Sequence, residues 1–158
     1  MMEKKRMLFI VFLTVLLSAA LVFAAGGKTF KTKLTGADQV PPVMSKASGM
    51  AYFKLSPDGK EITYKLHVKN IMNVTLAHIH DGSMGKNGPP VVNLFTGPEK
   101  KGKFSGVLAK GTITDKDLVG PMQGKSLEDL VKVIEAGGTY VNVHTAENPG
   151  GEIRGQLK

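Results

Sequence analysis

The chain predicts an all-β fold, an antiparallel Greek-key sandwich or barrel of about eight strands with one short helix, and three observations carry that prediction. Short runs of alternating apolar and polar residues recur at roughly 8–12-residue spacing, punctuated by Gly, Pro, Asn and Asp. A single segment near 126–136 switches to helical period. No cysteine occurs among the 158 residues, which excludes disulfides and a lipid-modified cysteine anchor and leaves the hydrophobic core to hold the fold.

Residues 1–24 read as a secretory signal. Lys4, Lys5 and Arg6 precede an uncharged, largely apolar run from Met7 to Phe23, and Val22 and Ala24 suit the small-residue positions of a cleavage site before Ala25. The run is long for a signal and slightly short for a spanning helix, so an uncleaved N-terminal anchor is the other reading. Both export the remaining 25–158 as one domain, secreted, periplasmic or at the cell surface, with no membrane span once the leader is removed.

The chain holds 21 Lys and Arg against 13 Asp and Glu, a formal charge of +8. The excess is scattered, with local clusters at Lys28, Lys31, Lys33 and at Lys100, Lys101, Lys103, and it reads mainly as a solvated surface. Such clusters can touch anionic lipid or polysaccharide. No aromatic interleaving or nucleic-acid motif accompanies them, so a nucleic-acid partner is not expected.

Thr29 to Leu34 forms a first strand, followed by ADQVPPV (Ala37–Val43), whose Pro41 and Pro42 cannot donate to a ladder and belong at an edge or outside the sheet. Gly49–Leu55 and Glu61–Val68 flank SPDGK, a turn with Gly59 at its left-handed position. In the second of these strands Ile62, Tyr64, Leu66 and Val68 point inward, which leaves His67 on the surface. Val74–His80 is a further strand. The loop DGSMGKNGPP (Asp81–Pro90) can fold over its end. Val91–Phe95 and Phe104–Ile113 follow, with bends or bulges at Gly106 and Gly111. Ser126 caps the helix with Asp129 three residues on, Leu127, Leu130, Val131 and Ile134 share one face, and Gly137 ends it. Thr139–His144 and Glu152–Leu157 are the last strands.

Three of the four histidines fall in TLAHIHD (Thr75–Asp81) and YVNVHT (Tyr140–Thr145). His78 and His80, two apart on a strand, share a face. Which face depends on parity: Ala77 and Ile79 in the core would turn the histidines outward, whereas Val74 and Leu76 in the core would turn them inward unless a bulge intervenes. Val141 and Val143 are the natural core residues of the later strand, which sets Tyr140, Asn142 and His144 on its opposite face. An outward set His78, His80 and His144 is thus consistent, open to solvent or covered by a loop. Three imidazoles suit copper or zinc. The competing reading is that the rings bond backbone carbonyls and fix two long loops. Asp81, Glu147 and Glu152 are candidate carboxylates for orienting an imidazole, or simply turn residues. Met84 is a candidate soft ligand or gap filler. Arg154 recognises an anion near the site or pairs with Glu152 on the same face.

LTGADQVPPV, AHIHDG with NGPPVV, and YVNVHTAENPGGEIRGQL resemble the three signature blocks of the CHRD domain, over about Lys33 to Leu157. The resemblance implies an extracytoplasmic β-sandwich and little about activity. The family's first block usually has an acidic residue before VPP, where this chain has Gln39. At the level of the site, His78-Ile79-His80 and the later His144 are similar to the way copper-zinc superoxide dismutase places copper ligands outside a Greek-key barrel. A bridging histidine, a zinc subsite and the disulfide cysteines of that family have no counterpart.

With no GxSxG elbow, no cysteine and few, scattered carboxylates, acyl transfer and paired-carboxylate hydrolysis find no support. The expectation is a binding or structural module rather than an enzyme, with a copper or zinc ion at His78, His80 and His144. Two alternatives stand beside it. One is a metal-free interaction module for envelope polymer or protein, and the other is a copper redox enzyme of superoxide-dismutase type.

Overall fold

The computed structural model describes residues 27–158, so the leader 1–24 lies outside the described residues. Among the described residues there are seven strands and one α-helix: β1 (Thr29–Thr35), β2 (Ser48–Leu55), β3 (Ile62–Asp81), β4 (Pro90–Phe95), β5 (Lys100–Ile113), α1 (Leu127–Glu135), β6 (Thr139–Thr145) and β7 (Ile153–Gln156). The number is seven rather than about eight because the expected strands Glu61–Val68 and Val74–His80 are one strand of 20 residues. Asn70 and Asn73, at φ 56° and 49°, bend β3 without ending it. Asparagine tolerates this left-handed backbone better than other non-glycine residues.

β3 is the spine. Along one flank its first half pairs with β2 from Ile62 to Lys69, and its second half pairs with β6 from Val74 to Asp81. Along the other flank it pairs with β5 and then β4. β6 continues to β7, β7 to β1 and β1 back to β2, all antiparallel, so β1, β2, β3, β6 and β7 close into a barrel with β4 and β5 as extra strands. Closure pairs both flanks of these five strands, so the free edges among the described strands lie on β4 and β5.

The β2–β3 turn forms as its sequence requires, with Gly59 at φ 72° and its N–H bonded to Ser56 O at 3.0 Å. Ser126 caps α1, its hydroxyl accepting from the Asp129 N–H while Asp129 accepts from the Ser126 N–H. The buried stripe Leu127, Leu130, Val131, Ile134 joins the same core as Leu34, Phe53, Leu66, Ile79, Val141 and Ile153. Residues 39–47, with Pro41 and Pro42, stay outside the sheet. Gly106 opposes Val68 at a register shift in the β3–β5 ladder, at φ 144°.

Parity along β3 is reset by its bulges. Val68, Ile71, Val74 and Ala77 are all buried, at intervals of three, which an unbroken strand cannot produce. The last reset lies between Val74 and Leu76 in the pairing with β6. It reconciles the two conflicting parities: Val74 faces the core, and so do Ala77 and Ile79, while Leu76 is 38% exposed. His78 and His80 therefore point to the outside of the barrel.

Candidate metal centre

Register brings the third histidine to the first two. His78 lies opposite Asn142 and His80 opposite Tyr140, so His144, two residues beyond Asn142, is the diagonal neighbour of His78 on the same outer face. The ring centroids are 5.4 Å apart for His78 and His80, 5.1 Å for His78 and His144, and 5.6 Å for His80 and His144. One ring nitrogen from each lies within 4.8 Å of the others.

This outer face is roofed. Every residue of β6 is buried, on both sides of the strand. Three segments cover it. Gly88 O in the β3–β4 loop accepts from His80 Nδ1 at 2.9 Å, and Pro149 O in the β6–β7 loop accepts from His144 Nδ1 at 2.8 Å. In the segment after β1, Val40 O accepts from Asn87 Nδ2 at 2.8 Å, and the side-chain amides of Gln39 and Asn142 meet at 2.7 Å. Gly151 must be glycine here, because a Cβ would run into Asn142 and Gln39 and its φ is 125°.

The carbonyl contacts fix the tautomers. A carbonyl can only accept, so His80 and His144 each carry the proton on Nδ1 and keep a lone pair on Nε2. His144 Nε2 then accepts from His78 Nδ1 at 3.2 Å. His80 Nε2 is buried and has no hydrogen-bond partner among the described residues. Burial holds all three rings below the usual histidine pKa. His78 is lowered to about 4, by desolvation first and by repulsion from His144 and His80 in the charged form, and in His80 desolvation outweighs the raising effect of Gly88 O, with His144 and Arg154 also lowering it. In His144 desolvation outweighs the raising effect of Pro149 O. Three neutral imidazoles therefore face one another at pH 7.

That donor set fits a metal ion. Two nitrogens bound at about 2.0–2.1 Å can be no more than roughly 4.2 Å apart, and one nitrogen of each ring lies within 4.8 Å of the others, so small ring rotations bring all three to one ion once His78 moves its proton from Nδ1 to Nε2. Nδ1–H bonds from two rings to backbone carbonyls are the support that orients imidazole ligands at metal sites.

Other sequence candidates fall into place around it. Arg154 does not pair with Glu152. It is 1% exposed, lies 3.4 Å over the Tyr140 ring, and donates to Asn87 Oδ1 at 2.9 Å and Lys86 O at 2.7 Å, clamping the β3–β4 loop. Tyr140 in turn stacks on His80, with centroids 4.9 Å apart and planes 12° from parallel, and its hydroxyl accepts from the Gly88 N–H at 3.2 Å. Glu152 accepts from Ser45, Thr145 and Asn148, and Glu147 accepts from Asn73, so both are turn residues. Asp81 ends β3, its N–H bonded to Pro89 O. Met84 stands 74% exposed, and His67 is exposed as expected. The residues that sequence reasoning left without a role are Tyr140, Asn142 and Gln39. Tyr140 and Asn142 were legible as sharing the face of His144, but nothing marked them as buried.

The blocks that carry these contacts run nearly the length of the described chain, and a protein-family model for the CHRD domain matches residues 30–157. The chain belongs to the CHRD domain family. No curated protein matches it by sequence. In this CHRD domain the three signature blocks are spatially one feature: the first supplies Gln39 and Val40, the second His78, His80 and Gly88, and the third Tyr140, His144 and Arg154, all beneath or within the same roof.

Proposed function

We propose that this CHRD domain is an extracytoplasmic binding module that holds one copper or zinc ion through His78, His80 and His144. The observation that carries the reading is His80 Nε2, a buried lone pair with no partner among the described residues, on a ring whose other nitrogen is pinned by Gly88 O. Leaving such an acceptor unpaired costs about 1–3 kcal/mol, which a cation shared with two neighbouring imidazoles offsets. A bound ion would supply a Lewis-acidic centre and a link between β3 and β6. The chain's own residues hold the rings neutral by burial and aim them by carbonyl contacts. The leader 1–24 supports export, and the lack of cysteine is compatible with an oxidising compartment.

A redox enzyme of superoxide-dismutase type is the weaker reading, since Arg154 commits N–H groups to Asn87 and Lys86 beneath the loop instead of presenting them to an anion. In the metal-free alternative the rings serve only as loop anchors. Calorimetric titration of untagged, chelator-stripped protein with copper and with zinc separates the two metal-binding readings from the metal-free one. One tight site per chain is expected, weakened at least about 100-fold in His80→Ala and unchanged in His67→Ala. Wild-type binding no tighter than that of His80→Ala would overturn the metal reading and leave the histidines as anchors.

A further inference from the structure

The face of the barrel formed by β1, β2, β5 and the first half of β3 is built differently from the rest of the surface. Outward positions align across the strands: Lys31 lies opposite Tyr52, Tyr52 opposite Lys65, and Lys65 opposite Lys110. In the adjoining row Thr29, Lys54 and Thr63 line up, and Lys33 follows on the other side. Strand separations of about 4.8 Å place Lys31 and Lys65 roughly 9–10 Å apart across the Tyr52 ring. These four strand segments contain no Asp or Glu. The ion pairs among the described residues, Lys28 with Glu135 and Lys132 with Glu128, use none of these lysines. Like charges on neighbouring strands repel one another and contribute nothing to the fold.

Tyr52 is 50% exposed at the centre of this array. Beside it runs a shallow cleft of about 540 Å³ lined by Lys31, Tyr52, Lys54, Thr63, Lys65 and Lys158 among others. A half-exposed aromatic ring flanked by unpaired ammonium groups and threonine hydroxyls presents a stacking surface for the C–H face of a sugar, with cations on either side for its acidic substituents. The concavity suits a chain lying along the strands better than a planar bilayer, which would need apolar groups projecting beyond the lysines.

We propose that this face is a binding site for an acidic polysaccharide, with Tyr52 as the stacking platform and Lys31, Lys54 and Lys65 as the carboxylate contacts. The site is independent of the histidine centre.

Binding of the full chain to polygalacturonate, measured by calorimetry at low and at physiological salt, tests it, with dextran as the neutral polymer. Polygalacturonate binds and dextran does not, and affinity falls as salt rises. Lys31→Gln with Lys65→Gln lowers affinity at least about 10-fold, and Tyr52→Ala lowers it several-fold while leaving the salt dependence unchanged. Lys46→Gln with Lys86→Gln, both exposed and both in the segments that cover the second half of β3, has little effect. An equal loss in both lysine pairs, or full affinity in Tyr52→Ala, reduces the effect to net charge and overturns the proposal. Tighter binding to phosphatidylglycerol vesicles than to polygalacturonate overturns it in favour of a membrane surface.

Discussion

The two halves of β3 carry outward-facing histidines with opposite fates. In the first half, Thr63, Lys65, His67 and Lys69 all stand exposed on the barrel's outer face. In the second half His80 on the equivalent face is 8% exposed, and His144 beside it 7%. Both halves are paired on both flanks and both turn their alternate residues to the core, so hydrogen bonding and patterning do not distinguish them. What differs is a roof. Three loops anchored elsewhere close over the second half, and no described segment covers the first. Period-two alternation assigns a side chain to a face, and the connections decide whether that face sees water.

Removing the roof's anchor should produce the largest effect. Arg154→Ala leaves Asn87 Oδ1 and Lys86 O without their donor and takes the guanidinium off Tyr140. Charge-assisted hydrogen bonds and a desolvated cation–π contact together predict a loss of about 3 kcal/mol. The urea midpoint reads the loss, and metal affinity should fall with it because Gly88 no longer holds His80. An unchanged midpoint would mean that the loop is held without the guanidinium. Gly151→Ala attacks the roof from the other side, forcing a side chain against Asn142 and Gln39 at φ 125°. The expected cost is about 2 kcal/mol.

Much of the uncovered half was legible in the sequence, and the covered half less so, for a physical reason. SPDGK and the Ser126–Asp129 capping box work through the residues that spell them, so local chemistry was enough. The outward set His78, His80 and His144 was also readable, because Val141 and Val143 fix the parity of β6. The continuity of β3 was not, since a bend at Asn70 and Asn73 looks like a turn until a partner strand is seen to run past it. Nor could the bulge between Val74 and Leu76 be read, there being no Gly or Pro to mark it. The two groups that orient the imidazoles are backbone carbonyls, Gly88 O and Pro149 O. A carbonyl belongs to every residue and leaves no trace in the sequence. Gln39 is a related case: its buried amide faces another amide, Asn142, a setting suited to a neutral side chain.

Tyr140→Phe sharpens the comparison more finely. It keeps the ring between His80 and Arg154 and removes only the hydroxyl, which accepts from the Gly88 N–H at 3.2 Å and donates to Gly88 O at 3.4 Å. The expected loss is about 1 kcal/mol, with hydrogen exchange faster in the β3–β4 loop than in β6. Equal acceleration in both would show that the loop and the strand open as one unit.

The smallest effect should come from the open half. His67→Ala removes an exposed imidazole from the same strand that carries the two buried ones, in the row where His67 lies opposite Met50 and Val107. No hydrogen bond or ring contact among the described residues depends on it, so stability should change by no more than about 0.5 kcal/mol, and metal affinity not at all. Urea denaturation and metal titration of the same preparation measure both. A loss of metal affinity in His67→Ala would mean that binding follows histidine content and not the roofed geometry, and the contrast between the two halves of β3 would then have no bearing on function. An intact affinity beside its loss in His80→Ala assigns the difference to the loops, because strand, residue type and outward orientation are the same in both.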